Sequence, residues 1–218
     1  MNLLALLVGP KGPAVAAGGD RAGPIERSGT QGAVEQLPLL VRDALAAAKL
    51  GFSELDAFAV LTGPGRFTAI RAAVAAARAL SLATGRGIYA LSAFELGAAA
   101  RAGPALVVVP VGREELALQP FDGPDAPCAE PALVSRCDLA RAVEGAHRLV
   151  LVDPDPELAA RAPEDAVFVE STAGFLWTAA RARARRGIGP APGPSVRPLY
   201  LRPPDARPEA GRPLVLRS

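Results

Sequence analysis

Short apolar runs alternate with stretches of helical periodicity along the first hundred residues. Leu3–Val8 is wholly apolar and stops at Gly9-Pro10, a pattern typical of a buried strand that ends in a turn. Apolar residues recur at helical spacing between Glu35 and Leu50, and Gly51 follows them as a stop. Strands that alternate with helices predict an α/β layered fold. The further predicted strands are Ala14–Ala17, Ala57–Leu61 and Gly87–Leu91, and the further helices run from about Thr68 to Thr84 and from Ala93 to Ala102.

A second cycle of strands and helices begins after Gly103-Pro104, which we take as a domain boundary. Ala105–Val111 predicts a strand, whereas Glu114–Phe121 alternates only weakly and the Pro/Gly-rich stretch Pro120–Pro131 contains no clear element. We therefore predict an N-terminal lobe over residues 1–102, a C-terminal lobe over 103–190, and a C-terminal segment over 191–218 that packs back on the first lobe. The other predicted elements are strands at Leu149–Val152 and Ala166–Val169, helices at Ser135–Gly145, Glu157–Arg161 and Thr172–Arg186, and a last element at Val196–Arg202.

The composition of the chain limits the chemistry that it can support. Half of the 218 residues are hydrophobic, which is enough for a buried core. The single histidine, His147, excludes a metal site with two histidine ligands from this chain alone, and a formal net charge of +2 does not predict a general nucleic-acid-binding protein. Cys128 and Cys137 form no C-x-x-C motif, so we interpret them as free thiols in a reducing cytosol.

Targeting and membrane segments are not predicted either. Met1–Val8 lacks the basic start and the small-residue cleavage site of a signal peptide. The longest uninterrupted apolar runs, such as Ala105–Val109, are too short to span a membrane. We therefore expect a cytoplasmic protein with no membrane contact.

The segment Leu61–Arg71 contains the most informative motif of the chain. A predicted strand runs into Gly63-Pro64-Gly65, and a predicted helix follows. Helix N-termini present unpaired N–H groups and bind anions, so a phosphate cradle is one interpretation. The segment lacks the G-x-x-x-x-G-K-[ST] pattern and the third glycine of a dinucleotide-binding fingerprint. A tight structural turn is the favoured interpretation, built from Gly63, Pro64, Gly65, Arg66 and Thr68.

Five segments of the chain match one family pattern. Thr62–Arg71 has the sequence TGPGRFTAIR, and Tyr89–Leu96 has the sequence YALSAFEL beyond the predicted helix. Glu35–Pro38 leads a helix, Phe52–Asp56 precedes a strand, and Pro198–Ala206 has the sequence PLYLRPPDA. Together these segments resemble the TsaB (YeaZ) family of the glycoprotease-like superfamily, whose motifs are usually written GPGSFTGLR…VSSLEAL with a closing P-x-Y-L-R. The resemblance covers most of the first hundred residues and the last twenty, and the middle of the chain matches weakly.

The resemblance implies a two-lobed actin-like ATPase (ribonuclease H-like) fold of the α/β class. It also implies a cytoplasmic partner protein in the synthesis of threonylcarbamoyladenosine at position 37 of tRNAs that read codons starting with A. In this family the protein pairs with TsaD, the related subunit that holds the metal and transfers the threonylcarbamoyl group, and the ATPase TsaE joins the assembly. Because TsaB proteins are generally treated as non-catalytic scaffolds, the resemblance implies protein partners, indirect action on tRNA and no cofactor.

Several positions depart from the family pattern, and each departure removes or changes polar chemistry. Leu7 and Val8 stand where the first strand of the family usually ends in Asp-Thr-Ser, the acidic turn that organises phosphate and metal in actin-like ATPases. Arg66 replaces the serine of the Gly-Pro-Gly-Ser motif, and Ser92–Glu95 contains no histidine where the catalytic relative carries a histidine pair. We therefore predict a pseudo-enzyme subunit without a catalytic or metal site, and a surface or capping role for His147.

The alanine-rich helix after the Gly-Pro-Gly loop is the predicted partner surface. Small side chains let a second helix approach closely, and the resemblance implicates this helix in pairing both with TsaD and with a second copy of the protein. Packing within its own lobe is the alternative for each of its residues. The candidate interface residues are Phe67, Ile70, Arg71, Val74, Ala75, Arg78 and Leu82.

One basic cluster lies near the end of the last predicted helix, at Arg181, Arg183, Arg185 and Arg186. A solvated helix end, where cations offset the helix dipole, is the favoured interpretation, and contact with tRNA phosphate is the alternative.

Two other functional hypotheses stay open. One is a metallopeptidase-like or ATP-binding enzyme of the same fold. The other is a degenerate paralogue with another protein-binding role, which the loss of the acidic turn at Leu7 and Val8 keeps in view.

Overall fold

The first lobe is built on a five-stranded sheet. The computed structural model describes residues 1–20, 22–146 and 148–201. The sheet has the order β3-β2-β1-β4-β5, in which β2 is antiparallel to both β1 and β3, whereas β4 runs parallel to β1 and to β5. Its strands are β1 (Leu3–Gly9), β2 (Gly12–Gly18), β3 (Ile25–Ser28), β4 (Ala57–Leu61) and β5 (Gly87–Leu91).

The burial of these strands explains their sequence pattern. β1, β2 and β4 are buried on both faces, so their side chains form continuous apolar runs without alternation. The predicted strands are therefore confirmed, and β4 and β5 have the predicted bounds. β3 was not predicted, because its sequence Ile-Glu-Arg-Ser belongs to a partly exposed edge strand without a hydrophobic period.

Two helices cover one face of this sheet. α1 (Leu37–Ala48) packs on β2 and β3, and α2 (Phe67–Thr84) packs on β1 and β4. α1 ends at Lys49, whose φ of 53° lies in the left-handed region, so the stop comes before the predicted Gly51. α2 ends at Gly85 as predicted, because this residue has a φ of 70° and donates its N–H to the carbonyl of Ser81 at 2.8 Å.

The second lobe contains a six-stranded sheet with the order β11-β10-β6-β7-β8, and β9 also pairs with β7. Two short helices, α4 (Leu139–Ala142) and α5 (Pro156–Ala160), lie between its strands. β8 and β9 were not predicted, and they fall in or beside the Pro/Gly-rich stretch that shows no hydrophobic period. The strands are β6 (Ala105–Pro110), β7 (Glu115–Gly123), β8 (Ala126–Pro127), β9 (Ala132–Ser135), β10 (Leu149–Val152) and β11 (Val167–Val169).

Each lobe contributes one helix to the sheet of the other. α3 (Ala93–Ala99) follows β5 but packs on β6, β7 and β10, and α6 (Ala173–Arg185) follows β11 but packs mainly on β1 and β2. Trp177 of α6 is buried and donates its indole N–H to the carbonyl of Leu3 at 3.0 Å. One hydrophobic core consequently contains residues of both sheets, which are formed by residues 3–91 and 105–169 on either side of the predicted boundary.

The described part of the C-terminal segment returns to the first lobe. Ala191 exchanges two backbone hydrogen bonds with Ile88 of the edge strand β5, and Leu199 donates its N–H to the carbonyl of Thr62 at 2.8 Å. The predicted element at Val196–Arg202 is not regular over its described residues. Pro198 explains this in part, because proline has no N–H to donate to a neighbouring strand. Arg202 and the residues after it lie outside the described part of the chain, as does His147.

α2 also bears on the prediction of no membrane contact. By length and composition alone this helix could cross a membrane, although no single apolar run in the sequence is long enough to predict it. The core helix of a water-soluble protein meets the same criterion. One face of α2 packs on the first sheet, and the opposite face carries Arg71 and Arg78.

Candidate functional site

The Gly-Pro-Gly loop is tied to the strand beside it and to the C-terminal segment. Thr62 donates both its backbone N–H and its hydroxyl to the carbonyl of Leu91, at 2.8 and 3.1 Å. Gly63 accepts a hydrogen bond from the N–H of Ala93 at 2.7 Å. A Cβ atom at Gly63 would lie 2.7 Å from Cδ1 of Ile70, and the φ of 108° favours glycine. These contacts support the interpretation of a tight structural turn.

α2 presents one continuous stripe of exposed side chains after this loop. We call Phe67, Arg71, Ala75, Arg78 and Leu82 the outer stripe, since all five are exposed and their spacing places them on one face of the helix. Leu82 is 84% exposed, and Phe67 is 38% exposed. The five side chains of the outer stripe are apolar or cationic, and none of them packs against the first sheet.

Two of the predicted interface residues lie elsewhere. Ile70 and Val74 are 5% and 2% exposed and belong to the core between α2, α1 and the first sheet. The prediction that they meet a partner is therefore wrong, because their side chains project from the opposite side of the helix. The alternative considered for single residues, packing within the lobe, holds for these two.

The C-terminal segment completes the outer stripe at its N-terminal end. The rings of Phe67 and Tyr200 are stacked, with centroids 4.4 Å apart and an interplanar angle of 15°. Arg71 donates its Nε–H to the hydroxyl of Tyr200 at 2.8 Å, and its guanidinium lies 4.3 Å from the centroid of Phe67. The family motif around Tyr200 drew attention to this segment, but the sequence did not predict its contact with α2.

A cleft of about 430 Å³ lies between the lobes, beside the Gly-Pro-Gly loop. Val8, Gly9 and Pro10 form one wall, at the end of β1 where the family carries its acidic turn. Arg66 and Gly65, just before α2, also line the cleft. Leu7 does not reach the cleft lining, since it is 2% exposed and packs in the core shared by the two sheets.

The end of the cleft beside Gly9 is polar, and the sequence did not predict this polar end. Asp153 follows β10 and accepts hydrogen bonds from the N–H and the hydroxyl of Ser171, the former at 2.8 Å. Arg136 forms an ion pair with Asp155, and Asp155 also accepts the N–H of Leu158 at 3.0 Å and caps α5. Four side chains from three segments of the chain therefore line this part of the cleft.

The pKa values of the two carboxyl groups at this polar end are shifted in opposite directions. Burial raises the pKa of Asp153, and the hydrogen bonds from Ser171 offset that rise only in part. The hydrogen bond from Arg136 lowers the pKa of Asp155. Carboxylate oxygens are ligands for hard cations, but Ser171 and Arg136 already hold the oxygens of this pair.

The basic cluster on α6 is largely neutralised within the molecule. Arg181 forms an ion pair with Asp20 and lies 4.6 Å from the ring centroid of Trp177. Arg183 forms ion pairs with Glu95 of α3 and with Asp125 of the β7–β8 turn, and Arg186 forms a second ion pair with Asp125. The favoured interpretation, a solvated helix end, is wrong for Arg181 and Arg183, whose side chains are 13% exposed. Arg185 is exposed.

Comparisons with known proteins agree on one fold and one group of relatives. A family model described as TsaD, tRNA N6-adenosine threonylcarbamoyltransferase, matches residues 30–119. An uncharacterized protein of Mycobacterium tuberculosis is 35% identical over 187 residues, which cover 81% of this chain and 78% of the relative. A tRNA N6-adenosine threonylcarbamoyltransferase of Tropheryma whipplei is 41% identical over 59 residues, which cover 27% of this chain and 15% of that protein.

A solved structure extends the agreement to nearly the whole chain. YeaZ from Pseudomonas aeruginosa superimposes with a TM-score of 0.73 at 22% sequence identity, and the match covers 92% of this chain and 99% of that structure. The predicted two-lobed actin-like fold of the α/β class is thereby confirmed.

Proposed function

Because this chain belongs to the TsaB (YeaZ)-like family of glycoprotease-like proteins, we propose that it is a non-catalytic partner subunit in threonylcarbamoyladenosine synthesis on tRNA. It acts by binding a TsaD-like threonylcarbamoyltransferase, and a TsaE-like ATPase joins the complex. The tRNA contact is indirect and is made through these partners.

The outer stripe of α2 is the observation that carries this proposal. Ala75 lies at its centre, where a small side chain lets another helix approach closely. Phe67 and Leu82 expose apolar surface at the two ends, and Arg71 and Arg78 lie between them and the centre. Aromatic residues and arginine are enriched in protein–protein interfaces relative to the rest of the surface, and the outer stripe contains both.

The cleft supports the non-catalytic part of the proposal. Val8, Gly9 and Pro10 offer no carboxylate at the end of β1, so this wall cannot hold a metal-bound phosphate through a side chain. The ion pairs of Arg181, Arg183 and Arg186 support indirect contact with tRNA, because these guanidinium groups already have intramolecular partners.

A complex with the threonylcarbamoyltransferase from the same organism tests the proposal. We expect the two proteins to elute together in size-exclusion chromatography and the mixture to form threonylcarbamoyladenosine with the remaining pathway components. Ala75→Glu places a carboxylate and extra bulk at the centre of the outer stripe, so we expect it to abolish the complex and the product. Ala140→Glu makes the same change at an exposed position of α4 in the second lobe and is expected to leave both unchanged.

Two results would overturn the proposal. The first is the absence of a complex together with product formation that does not depend on this chain. The second is a complex that forms equally well with Ala75→Glu and Ala140→Glu, because partner binding would then not involve the outer stripe.

The polar end of the cleft favours one alternative function. Asp153, Asp155 and Arg136 line a space of about 430 Å³, and a nucleotide with its magnesium ion would compete with Ser171 and Arg136 for the two carboxylates. Isothermal titration calorimetry with ATP and magnesium distinguishes the two functions. Micromolar binding that Asp155→Asn weakens supports the enzyme, and the absence of heat at millimolar ATP supports the partner subunit.

A further inference from the structure

The chain around the end of α6 is rich in arginine and has no carboxylate side chain of its own. Residues 173–201 contain no Asp, Glu or Lys, and their five arginines are Arg181, Arg183, Arg185, Arg186 and Arg197. An arginine fork binds a phosphate through two parallel hydrogen bonds, in the same manner as a carboxylate. A run of arginines therefore has the chemistry of a nucleic-acid contact. In this fold, other segments supply carboxylates to three of the five.

Asp125 is the carboxylate that joins two of these arginines. It lies in the two-residue turn Pro124-Asp125, between β7 and β8. Its Oδ1 accepts the Nε–H of Arg183 at 2.6 Å, and its Oδ2 accepts the Nε–H of Arg186 at 2.7 Å. A terminal nitrogen of Arg186 forms an ion pair with the same Oδ2. One carboxylate thus lies between two guanidinium groups, where it takes the place that a phosphate would need.

The two arginines depend on Asp125 to different degrees. Arg183 is 13% exposed, and its two terminal nitrogens bind Glu95 and a backbone carbonyl. Arg186 is 42% exposed, and over residues 1–20, 22–146 and 148–201 its ion pair is with Asp125 alone. Arg185 is exposed and takes part in none of the ion pairs of those residues. Without the charge of Asp125, two adjacent arginines would therefore be free at the surface.

The contact with Asp125 competes well against an anion from solution. Because it is intramolecular, the carboxylate faces the arginines at a high effective concentration. Asp125 and Arg183 are 19% and 13% exposed, so salt screens their attraction less than that of a fully exposed pair. A phosphate that approaches the end of α6 has to displace this carboxylate against its negative charge. The turn that carries Asp125 therefore opposes nucleic-acid binding at this helix end.

We propose that Asp125 keeps tRNA off the arginines of α6 and so determines the selectivity of this surface. The proposal rests on the proposed function for the presence of tRNA in the assembly. It makes the indirect contact with tRNA a property of one side chain in the β7–β8 turn. A formal net charge of +2 for the whole chain does not by itself explain that property, because the arginines are concentrated at one helix end.

Replacement of Asp125 tests the proposal on the chain alone, with fluorescently labelled unmodified tRNA as the probe. Asp125→Asn keeps the size of the side chain and suits a turn, but it removes the charge that neutralises Arg186. In fluorescence anisotropy at about 0.05 M NaCl, we expect this variant to bind tRNA about tenfold more tightly than the wild type. The gain should vanish at about 0.5 M NaCl, because arginine–phosphate contacts weaken steeply with salt.

Asp122→Asn is the matched control, since it makes the same change of charge in the same hairpin. Asp122 is exposed, interacts with the thiol of Cys128 and forms none of the ion pairs in the described part of the chain. This variant should bind tRNA as the wild type does. Arg186→Gln added to Asp125→Asn should remove the gain, because it deletes the arginine that the first substitution frees.

Circular dichroism establishes that each variant is folded. If Asp125→Asn is not, Asp125→Ser replaces it, because serine is also favoured in turns and carries no charge.

Equal affinities of the Asp125 variant and Asp122→Asn for tRNA would overturn the proposal, since the position of the removed charge would then be irrelevant. A wild type that binds tRNA as tightly as the Asp125 variant would overturn it too. Failure of the proposed function is recognised separately, by the absence of a complex between this chain and the threonylcarbamoyltransferase.

Discussion

At the scale of single residues, Asp153 combines a half-buried carboxyl group with an unusual backbone conformation. Its φ of 47° lies in the left-handed region, where residues other than glycine are uncommon. Burial raises its pKa, and two hydrogen bonds from Ser171 hold the carboxylate oxygens. The protein therefore keeps an acidic group at a position where its ionised form is disfavoured.

We predict that Asp153→Asn makes the protein more stable at neutral pH. The amide oxygen still accepts the N–H of Ser171, and the amide nitrogen can donate to its hydroxyl. The folded-state pKa of Asp153 is raised, so this group binds more protons in the folded wild type than in the unfolded chain from about pH 4 upward. The stability contributed by the protonated form is therefore lost as the pH rises through the folded-state pKa.

Urea denaturation from about pH 4 to about pH 7 measures this effect. The free energy of unfolding of the wild type should fall relative to that of Asp153→Asn as the pH rises. Parallel profiles, with the variant less stable throughout, would show that the carboxylate is needed for packing and that its ionisation carries no cost.

The arginines show which contacts of single residues can be predicted from the sequence and which cannot. The exposed arginines of α2 follow from helical periodicity alone, since residues spaced by three and four share a face. The partners of Arg183 do not, because Glu95 and Asp125 are far away in the chain and come near only when α6 packs between the lobes. A cluster of basic residues thus predicted solvent exposure where the fold supplies internal carboxylates.

At the scale of elements, the hydrophobic periodicity of the sequence predicted the buried strands and the long helices well. β4, β5 and β10 have the predicted bounds, because a strand buried on both faces leaves a continuous apolar run. β8 and β9 were missed, since they are short and mostly exposed strands whose pairing with β7 leaves no hydrophobic periodicity in their own sequences.

The close packing of α3 against β6 and β10 depends on Gly97. A Cβ atom there would lie 2.5 Å from Cγ1 of Val107 and 2.8 Å from Cγ2 of Val152, and both valines are buried in strands of the second sheet. We predict that Gly97→Ala destabilises the protein by about 1–3 kcal/mol, since overpacking outweighs the gain in helix propensity.

Thermal and urea denaturation check this prediction against Gly112→Ala. Gly112 is exposed, and a Cβ atom added there would meet none of the described residues within 4 Å, so this control should change the stability by less than about 0.5 kcal/mol. An equally small change for Gly97→Ala would mean that α3 can move away from β6 and β10 without cost.

At the scale of the whole molecule, the two lobes act as one packed unit. α3 and α6 are exchanged between the sheets, Arg183 joins α3 to the β7–β8 turn, and the segment up to Leu201 returns to the first lobe. The family motifs at both ends of the sequence indicated this fold, but the exchange of helices became visible only in three dimensions. The same packing leaves the outer stripe of α2 exposed on the first lobe, where a partner can reach it.

Thiol labelling at the centre of the outer stripe tests the proposed partner surface without relying on a change of charge. Ala75→Cys introduces an exposed thiol there, and Cys128 and Cys137, which are exposed in the second lobe, serve as internal references. In the presence of the threonylcarbamoyltransferase, we predict that the introduced thiol reacts several-fold more slowly with iodoacetamide while the two native cysteines react at unchanged rates. An unchanged rate at the introduced thiol, in a mixture shown by light scattering to contain the complex, would contradict binding through the outer stripe.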